Sequence, residues 1–285
     1  KVRKFQIFLI LLGGFLLAGL YMEQKYGVVS AYLKGDMSEA ERQEYVLELH
    51  DKMCEKQKYI TLVYRGSKAE MQEFVQDSIN EAFLIDNPKT SSDYDYMHFV
   101  HKASHINMSG VGNVYTVTYE MEYLENDEQT KKVDKRIKKI IKDIIKKDMS
   151  DYEKIKAVHD YIVDHVEYDT STSYNTPYYA LVEGTSACQG YATLLYKMMT
   201  EAGIPCRVIT GNAKGQLHAW NIVKIGKKWY NIDATWDDPV GAFGKTSVRY
   251  RYFLKSDADL LDHVRDKEYD KVEFRNVYPV ALKSY

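Results

Sequence analysis

The sequence predicts an α+β protein with an N-terminal apolar segment, a small first domain and a larger second domain. Residues 5–20 are almost wholly apolar behind a basic flank, which is typical of a membrane-inserted segment. Helix and strand patterns follow one another between Ser38 and Leu124. A long apolar helix pattern then begins at Cys188 and precedes a predicted hairpin. We therefore expect the divisions 1–26, 27–127 and 128–285.

Length and charge narrow the class of protein. A chain of 285 residues holds two modest domains or one domain with a long extension. With 45% hydrophobic and 28% charged residues, the composition is that of an ordinary globular protein. The formal net charge of -2 argues against a general nucleic-acid binder. Nothing in the sequence specifies an oligomeric state.

The N-terminal segment predicts on which side of the membrane the protein is located. Lys1, Arg3 and Lys4 precede the apolar run of residues 5–20, which is at the short end of the ~17–25 residues needed to span a bilayer. We interpret it as an uncleaved signal anchor, with a cleaved signal peptide as the main alternative. Since a basic flank stays cytoplasmic, the rest of the chain is expected outside, membrane-anchored through this helix, or secreted if the segment is cleaved.

The first domain shows an α-β-α-β-β pattern without recognisable chemistry, and we expect a substrate-binding or spacer role. Its predicted elements are a helix capped by Ser38 and Glu41, a strand at Ile60–Tyr64, a helix through Met71–Phe83, and strands near Tyr94–Ala103 and Val114–Leu124. His98, His101 and His105 have helical spacing, but their surroundings alternate as in a strand, which would scatter them over both faces. We expect no metal there.

The second domain opens with two predicted helices. Lys131–Lys147 carries an isoleucine stripe beside many lysines, which favours a core-packed helix with a solvated face over a membrane-surface or anionic-polymer contact. Ser150 and Glu153 form a capping-box pattern for the next helix, which we expect to end at Tyr168-Asp169.

Three cysteines are an odd number for an exported protein. Cys206 is predicted to be a buried strand residue, and a bridge between Cys54 and Cys206 stays open. Such a bridge would leave Cys188 as a free thiol, and a catalytic role would explain why an exported protein keeps one.

Cys188 is the candidate nucleophile because of its predicted position at the start of a helix. It precedes an i, i+3, i+4, i+7 stripe that begins at Tyr191, and Gly203 and Pro205 supply the stop. Unpaired N–H groups at a helix N-terminus favour a thiolate and can stabilise an oxyanion. The structural alternative is a buried, inert cysteine. The residues that precede Cys188, Gly184–Ala187, are small and polar, however, and such residues are more typical of a cleft than of a packed core.

His218 and Asp233 lie on either side of a predicted hairpin, His218–Ile225 and Trp229–Ala234. A two-residue turn at Gly226-Lys227 makes Asp233 the diagonal neighbour of His218 on one face, and a four-residue turn places them directly opposite. A three-residue loop would put them on opposite faces. An even-length loop is therefore a prediction of the catalytic hypothesis.

The chemistry assigns each candidate catalytic residue a role. His218 would take the thiol proton from Cys188 and later donate it to the leaving amine. Asp233 would accept a hydrogen bond from the far imidazole nitrogen and fix the tautomer. Without catalysis, His218 would be a satisfied core histidine beside Trp220, and Asp233 a residue at the entry of a turn.

Four motifs together resemble the transglutaminase-like core superfamily, in its membrane-anchored bacterial form. They are Cys188–Ala192, Gly203–Pro205, His218–Asn221 and Asp233–Asp237, and the likeness covers roughly Lys131–Phe253. The resemblance implies a papain-like α+β fold, in which the nucleophile opens a helix packed on an antiparallel sheet. It also implies a triad of Cys188, His218 and Asp233.

The resemblance leaves the reaction open. We expect an exported acyl transferase acting on glutamine amides or peptide bonds of a protein or peptide, with the cell envelope as one source of substrate. The second hypothesis is a cysteine peptidase or amidase that uses the same triad. The third is not an enzyme: it is a non-catalytic module for surface binding or assembly. No cofactor or metal is expected, because the sequence has no calcium-loop pattern.

Overall fold

The structure is a computed structural model, which describes Tyr21, Gly27, Ala31 and residues 34–87, 90–238 and 249–285. The predicted membrane segment of residues 1–20 lies outside the described residues. Among those that are described, no helix has the length and apolar character needed to cross a membrane. The chain divides into two compact units, of which the first comprises the residues up to Ile85 together with Lys102–Tyr123, and the second comprises Asp86–His101 and Leu124–Tyr285.

The first unit consists of helices and an antiparallel sheet. Its elements are α1 (Glu39–Cys54), β1 (Tyr59–Arg65), α2 (Lys68–Leu84), β2 (His101–Val111) and β3 (Val114–Tyr123). The strand order is β1-β3-β2. The capping box predicted at Ser38 and Glu41 is confirmed, since each residue bonds the backbone N–H of the other.

One predicted strand is wrong. Residues Tyr94–Val100 form a helix, α3, and the strand begins only at His101. Tyr96, Met97 and Val100 are all fully buried, and their spacing brings them to one side of a helix. A short run rich in aromatic and branched residues gives no periodicity long enough to separate a strand from a buried helix.

The second unit holds the segments that carry Cys188, His218 and Asp233. Its remaining elements are α4 (Asp127–Ile144), α5 (Asp151–His165), β4 (Glu167–Tyr168), a π-helical turn (Tyr179–Glu183), β5 (Thr185–Ser186), α6 (Cys188–Glu201), β6 (Cys206–Ala213), β7 (Gln216–Ile225), β8 (Lys228–Ile232), a 3-10 turn (Asp257–Asp259), β9 (His263–Arg265), α7 (Lys267–Asp270) and α8 (Val272–Val277).

Helix α6 is the centre of this unit's core. Its residues Gly190–Met199 are all buried, and apolar side chains of α4, α5, β6, β7 and β8 surround them. The isoleucine stripe of α4 points into this cluster through Ile137, Ile140 and Ile141. The core-packed interpretation of the lysine-rich helix is therefore confirmed, as is the capping box of Ser150 and Glu153.

A four-stranded antiparallel sheet, in the order β8-β7-β6-β9, packs on one side of α6. Ile225 pairs with Lys228, so the β7–β8 turn consists of Gly226 and Lys227 alone. Gly226 has φ +58°, a left-handed conformation that a glycine adopts without steric cost. The predicted even-length loop is confirmed.

Gly190 is required where the start of α6 meets the preceding strand. A Cβ at this position would overlap Ser186 Oγ and lie 2.9 Å from the Thr176 carbonyl oxygen. Ser186 is fully buried and donates to the Tyr174 carbonyl, so it has little room to give way. The absence of a side chain at Gly190 is what lets the Cys188 helix start this close to β5.

Gly190→Ala tests this packing. Helix propensity alone favours alanine over glycine by about 1 kcal/mol, yet we expect the variant to lose about 1–3 kcal/mol of unfolding free energy through overpacking. The measurement is urea or thermal unfolding followed by circular dichroism. Gly35→Ala is the control, because its Cβ would meet no described atom within 4 Å. Equal or greater stability of Gly190→Ala would refute the steric account.

Candidate active site

Cys188 is the first residue of α6, as predicted. Its thiol is half-buried, and all three cysteines of the chain lie among the described residues without forming a disulfide. The possible Cys54–Cys206 bridge is thus absent from the structure. Cys206 is buried in β6, and burial raises the pKa of its thiol well above the ordinary value.

The start of α6 offers backbone donors beside the sulfur. The N–H groups of Gly190 and Tyr191 bond the Ala187 carbonyl, whereas those of Cys188 and Gln189 precede the first turn and have no carbonyl within the helix to bond. The Gln189 side chain is held by the Phe99 carbonyl, 2.8 Å from Nε2. Two N–H groups without acceptors in the helix, and the positive end of the helix dipole, therefore lie at the end of α6 that carries Cys188.

The sheet brings His218 and Asp233 together. The ladder of β7 and β8 ends with Asn221 opposite Ile232, and Asp233 follows directly. By this register Asp233 is the diagonal neighbour of His218, the relation that a two-residue turn predicts. His218 Nε2 lies 2.7 Å from Asp233 Oδ2, and both side chains are buried.

Both carboxylate oxygens of Asp233 accept hydrogen bonds. Its Oδ1 accepts from the backbone N–H groups of Thr235 at 3.0 Å and Trp236 at 3.2 Å, while its Oδ2 faces His218. Burial alone would raise the pKa of this carboxyl, but His218 and His263 outweigh burial and lower it. Asp233 is thus an anion at neutral pH, although only 1% of it is exposed.

His218 in turn keeps its proton to high pH. Burial would lower the pKa of the imidazole, but the charge and hydrogen bond of Asp233, with a further interaction in which the protonated ring donates to Cys188, raise it from 6.5 to about 10. Because Nε2 faces Asp233, Nδ1 is the ring nitrogen left to exchange a proton with the thiol. The structure thus joins His218 to Asp233 by a hydrogen bond and places Cys188 near enough to His218 to raise its pKa.

Tyr168 lies on the short strand β4, beside the segment that leads into Cys188. It pairs with Ser186 in the short parallel ladder of β4 and β5, two residues before Cys188. Burial raises the pKa of its phenol, and negative charges at Cys188, Asp169 and Asp233 raise it further. The phenol therefore stays protonated at neutral pH, and it lies near enough to Cys188 for the two groups to interact electrostatically.

The segment after Asp233 is fastened by two more carboxylates. Asp237 lies 3.0 Å from His159 Nε2 and accepts from the Tyr252 N–H at 2.8 Å. Asp238 accepts from the Tyr191 hydroxyl at 3.1 Å, which links the segment to α6. These contacts hold in place the loop whose backbone N–H groups donate to Oδ1 of Asp233. The Asp233–Asp237 motif therefore also has a structural role.

His263 is the site residue that sequence analysis missed. It lies on the three-residue strand β9, and its Nε2 is 3.0 Å from the same Oδ2 that faces His218. The rings of Trp220, Trp236 and Tyr252 surround it at centroid distances of 5.0, 4.7 and 5.5 Å. No sequence pattern points to it, because 30 residues separate it from Asp233 and only tertiary packing brings the two together.

His218, Asp233 and His263 also form the one cluster among the described residues with metal-ligand chemistry. The nitrogen–oxygen separations of 2.7 and 3.0 Å are those of hydrogen bonds, and they account for all three groups without an ion.

The fold and site together define a class: an α+β core in which a thiol at a helix N-terminus faces an imidazole that is hydrogen-bonded to a buried carboxylate. Residues 138–234 match the family model of the transglutaminase-like superfamily. The second unit therefore contains a transglutaminase-like domain, and the resemblance recognised from the motifs is confirmed.

Two curated proteins are similar to part of this chain. The kyphoscoliosis peptidase of Mus musculus is 28% identical over 145 residues, covering 45% of this chain and 22% of that protein. The kyphoscoliosis peptidase of Homo sapiens is 29% identical over 115 residues, covering 34% of this chain and 17% of that protein. The chain thus spans about a fifth of the length of these relatives.

Solved structures give weaker overlaps. A putative cysteine protease from Cytophaga hutchinsonii has 17% identity and a TM-score of 0.33, covering 47% of this chain and 62% of its own. A structure described as a TGase has 17% identity and a TM-score of 0.36, covering 66% of this chain and 53% of its own. Overlaps this low carry no argument about the site.

Asp233→Asn tests the electrostatics of the site. The neutral amide removes the interaction that outweighs burial, so the pKa of His218 should fall from about 10 to below its ordinary 6.5. Nuclear magnetic resonance titration of the histidine ring protons measures this directly. Asp148→Asn, which removes an exposed carboxylate outside this network, should leave the midpoint in place.

The same shift has a consequence for stability. A raised histidine pKa stabilises the fold fully below about 6.5, and this contribution disappears as the pH rises through about 10. The wild type should therefore lose stability between these values, and Asp233→Asn should lack that loss. An unchanged His218 midpoint in Asp233→Asn would contradict the account.

Proposed function

We propose that this chain is a thiol-dependent acyl transferase that forms a thioester at Cys188 from a glutamine side-chain amide or a peptide bond. The observation that carries the proposal is the buried His218–Asp233 pair, 2.7 Å apart, with Cys188 close enough to help raise the pKa of His218. A structural histidine–aspartate pair would not need a half-buried thiol at a helix N-terminus beside it.

The first half-reaction makes the thioester. The Cys188 thiolate attacks the carbonyl carbon of the amide, and the N–H groups at the start of α6 stabilise the oxyanion that forms. Protonated His218 then gives its proton to the leaving nitrogen as the carbon–nitrogen bond breaks. Ammonia leaves from a glutamine amide, and an amine leaves from a peptide bond.

The second half-reaction releases the acyl group. His218, now neutral, takes a proton from the incoming nucleophile as that nucleophile attacks the thioester carbon. The carbon–sulfur bond breaks, and the Cys188 thiolate and protonated His218 are restored. A primary amine gives a new amide, and water gives a carboxylate. Asp233 holds the imidazole in one orientation through both halves.

Hydrolysis of peptide bonds is the second candidate, because both curated relatives are named peptidases. It uses the same acyl-enzyme and differs only in the acceptor. The transferase is preferred for this chain because of the order and spacing of its motifs, from Cys188–Ala192 to Asp233–Asp237.

Cys188→Ala tests the enzyme proposal. With casein as glutamine donor and a biotinylated primary amine as acceptor, we expect incorporation into casein and a loss of at least about 1000-fold in the variant. Mass spectrometry separates the products: an added amine marks transfer, a glutamine converted to glutamate marks deamidation, and new termini mark proteolysis. Cys54→Ser removes a thiol outside the site and should retain activity.

No product of any kind with the wild type, together with slow alkylation of Cys188 at neutral pH, would contradict both enzyme proposals. It would favour the non-catalytic binding or assembly module instead.

We also propose that the reaction takes place outside the cytoplasm, on the basis of the basic flank and apolar run of residues 1–20. If the full chain is produced in cells, it should sediment with membranes and resist extraction by alkaline carbonate, or appear in the medium if the segment is cleaved. Recovery in the cytosolic fraction would contradict this location.

A further inference from the structure

His263 presents an arrangement that a triad does not require. Asp233 Oδ2 faces two imidazole nitrogens, His218 Nε2 at 2.7 Å and His263 Nε2 at 3.0 Å. A carboxylate oxygen only accepts, so each nitrogen must carry its proton for both bonds to form. His263 therefore competes with His218 for one oxygen of the same buried anion.

The structure fixes His263 in this position. Its side chain is 1% exposed, and its ring lies edge-on to Trp220 and Trp236. On the other side of the ring, Nδ1 lies 2.9 Å from Asp262 Oδ1. The strand β9 that carries His263 is itself held to β6, where Ala213 pairs with His263 and Gly211 with Arg265.

A Cβ at Gly211 would lie 2.9 Å from both Arg265 Cα and the Trp220 ring. Glycine at this position is thus what allows β9 to lie close enough for His263 to reach Asp233.

The charged and titratable groups around His263 come from several elements. Asp233 and His218 face Nε2, and Asp262 faces Nδ1. Asp262 also accepts from the Tyr252 hydroxyl and lies 3.5 Å from Lys214 Nζ. A small cavity beside His263 is lined in addition by Asp257, Arg265, Asp270 and Arg275, which pair among themselves.

We propose that His263 is a positioning residue for the Cys188–His218 pair, which holds Asp233 as a second donor and shares its negative charge with His218. This role rests on the proposed function. Each donor on Oδ2 takes part of the carboxylate's charge, so the second imidazole weakens the hold of Asp233 on the His218 proton. His218 then gives up that proton more readily to the leaving group.

Two substitutions distinguish the effect of the N–H donor of His263 from the effect of its ring. His263→Phe keeps a ring among the aromatic neighbours but removes the donor, and His263→Gln keeps an N–H donor without the ring. Without the donor, Asp233 is less well oriented and holds the His218 proton more strongly. We expect His263→Phe to lower kcat about 10–100-fold, the cost that outer-shell hydrogen-bond partners of metal-bound histidines show, with KM changed less than about 2-fold, and His263→Gln to recover part of kcat.

The decisive measurement does not need a substrate. The rate of Cys188 alkylation by iodoacetamide is measured as a function of pH, and its upper step is the one at which the neighbouring His218 loses its proton. A Cys54→Ser background leaves buried Cys206 as the other thiol. We expect the upper step to move to higher pH by about half a unit or more in His263→Phe, and by less in His263→Gln.

His165→Gln is the matched control, because this exposed histidine lies in neither carboxylate network, and it should leave the upper step unchanged. An upper step that stays in place in His263→Phe would overturn the proposal, whatever the change in melting temperature. If His263→Phe fails to fold, His263→Leu, which also lacks the donor, decides in the same way. Absence of acyl transfer by the wild type would contradict the proposed function, while the alkylation steps would still test His263.

Discussion

The buried carboxylate of Asp233 is the charge on which the rest of the site depends. Taking an anion out of water is costly unless donors surround it, and here two backbone N–H groups and two imidazoles do so. In return, the carboxylate keeps His218 protonated against the effect of burial. A protonated imidazole beside Cys188 is the proton donor that the proposed acyl transfer needs for its leaving group.

Each of these donors is placed by a different part of the fold. The two-residue turn at Gly226-Lys227 sets the register that brings His218 to Asp233. The loop after Asp233 provides the N–H groups and is held by Asp237 and Asp238. Small residues complete the assembly, because Gly190 lets the Cys188 helix approach β5 and Gly211 lets β9 approach β6. Chemistry and packing are thus coupled through a few close contacts.

Much of the site followed from the sequence because its determinants are local. The Cys188 helix has a clear apolar stripe and a defined stop, and the hairpin has a glycine at a turn whose length fixes the register. His263 had no such signal, since it lies on a three-residue strand and reaches Asp233 only through tertiary packing. The helix at Tyr94–Val100 was mistaken for a strand because burial of its apolar residues, and not propensity, decides its conformation.

The thioester is common to transfer and hydrolysis, so its formation at Cys188 is the central claim. An activated ester such as p-nitrophenyl acetate tests it without knowledge of the natural substrate. Mixed rapidly with the wild type, the ester should release a burst of about one nitrophenolate per chain. Mass spectrometry after acid quenching should find the acetyl group on Cys188. Acetylation confined to lysines, or a burst of equal size in Cys188→Ala, would contradict the account.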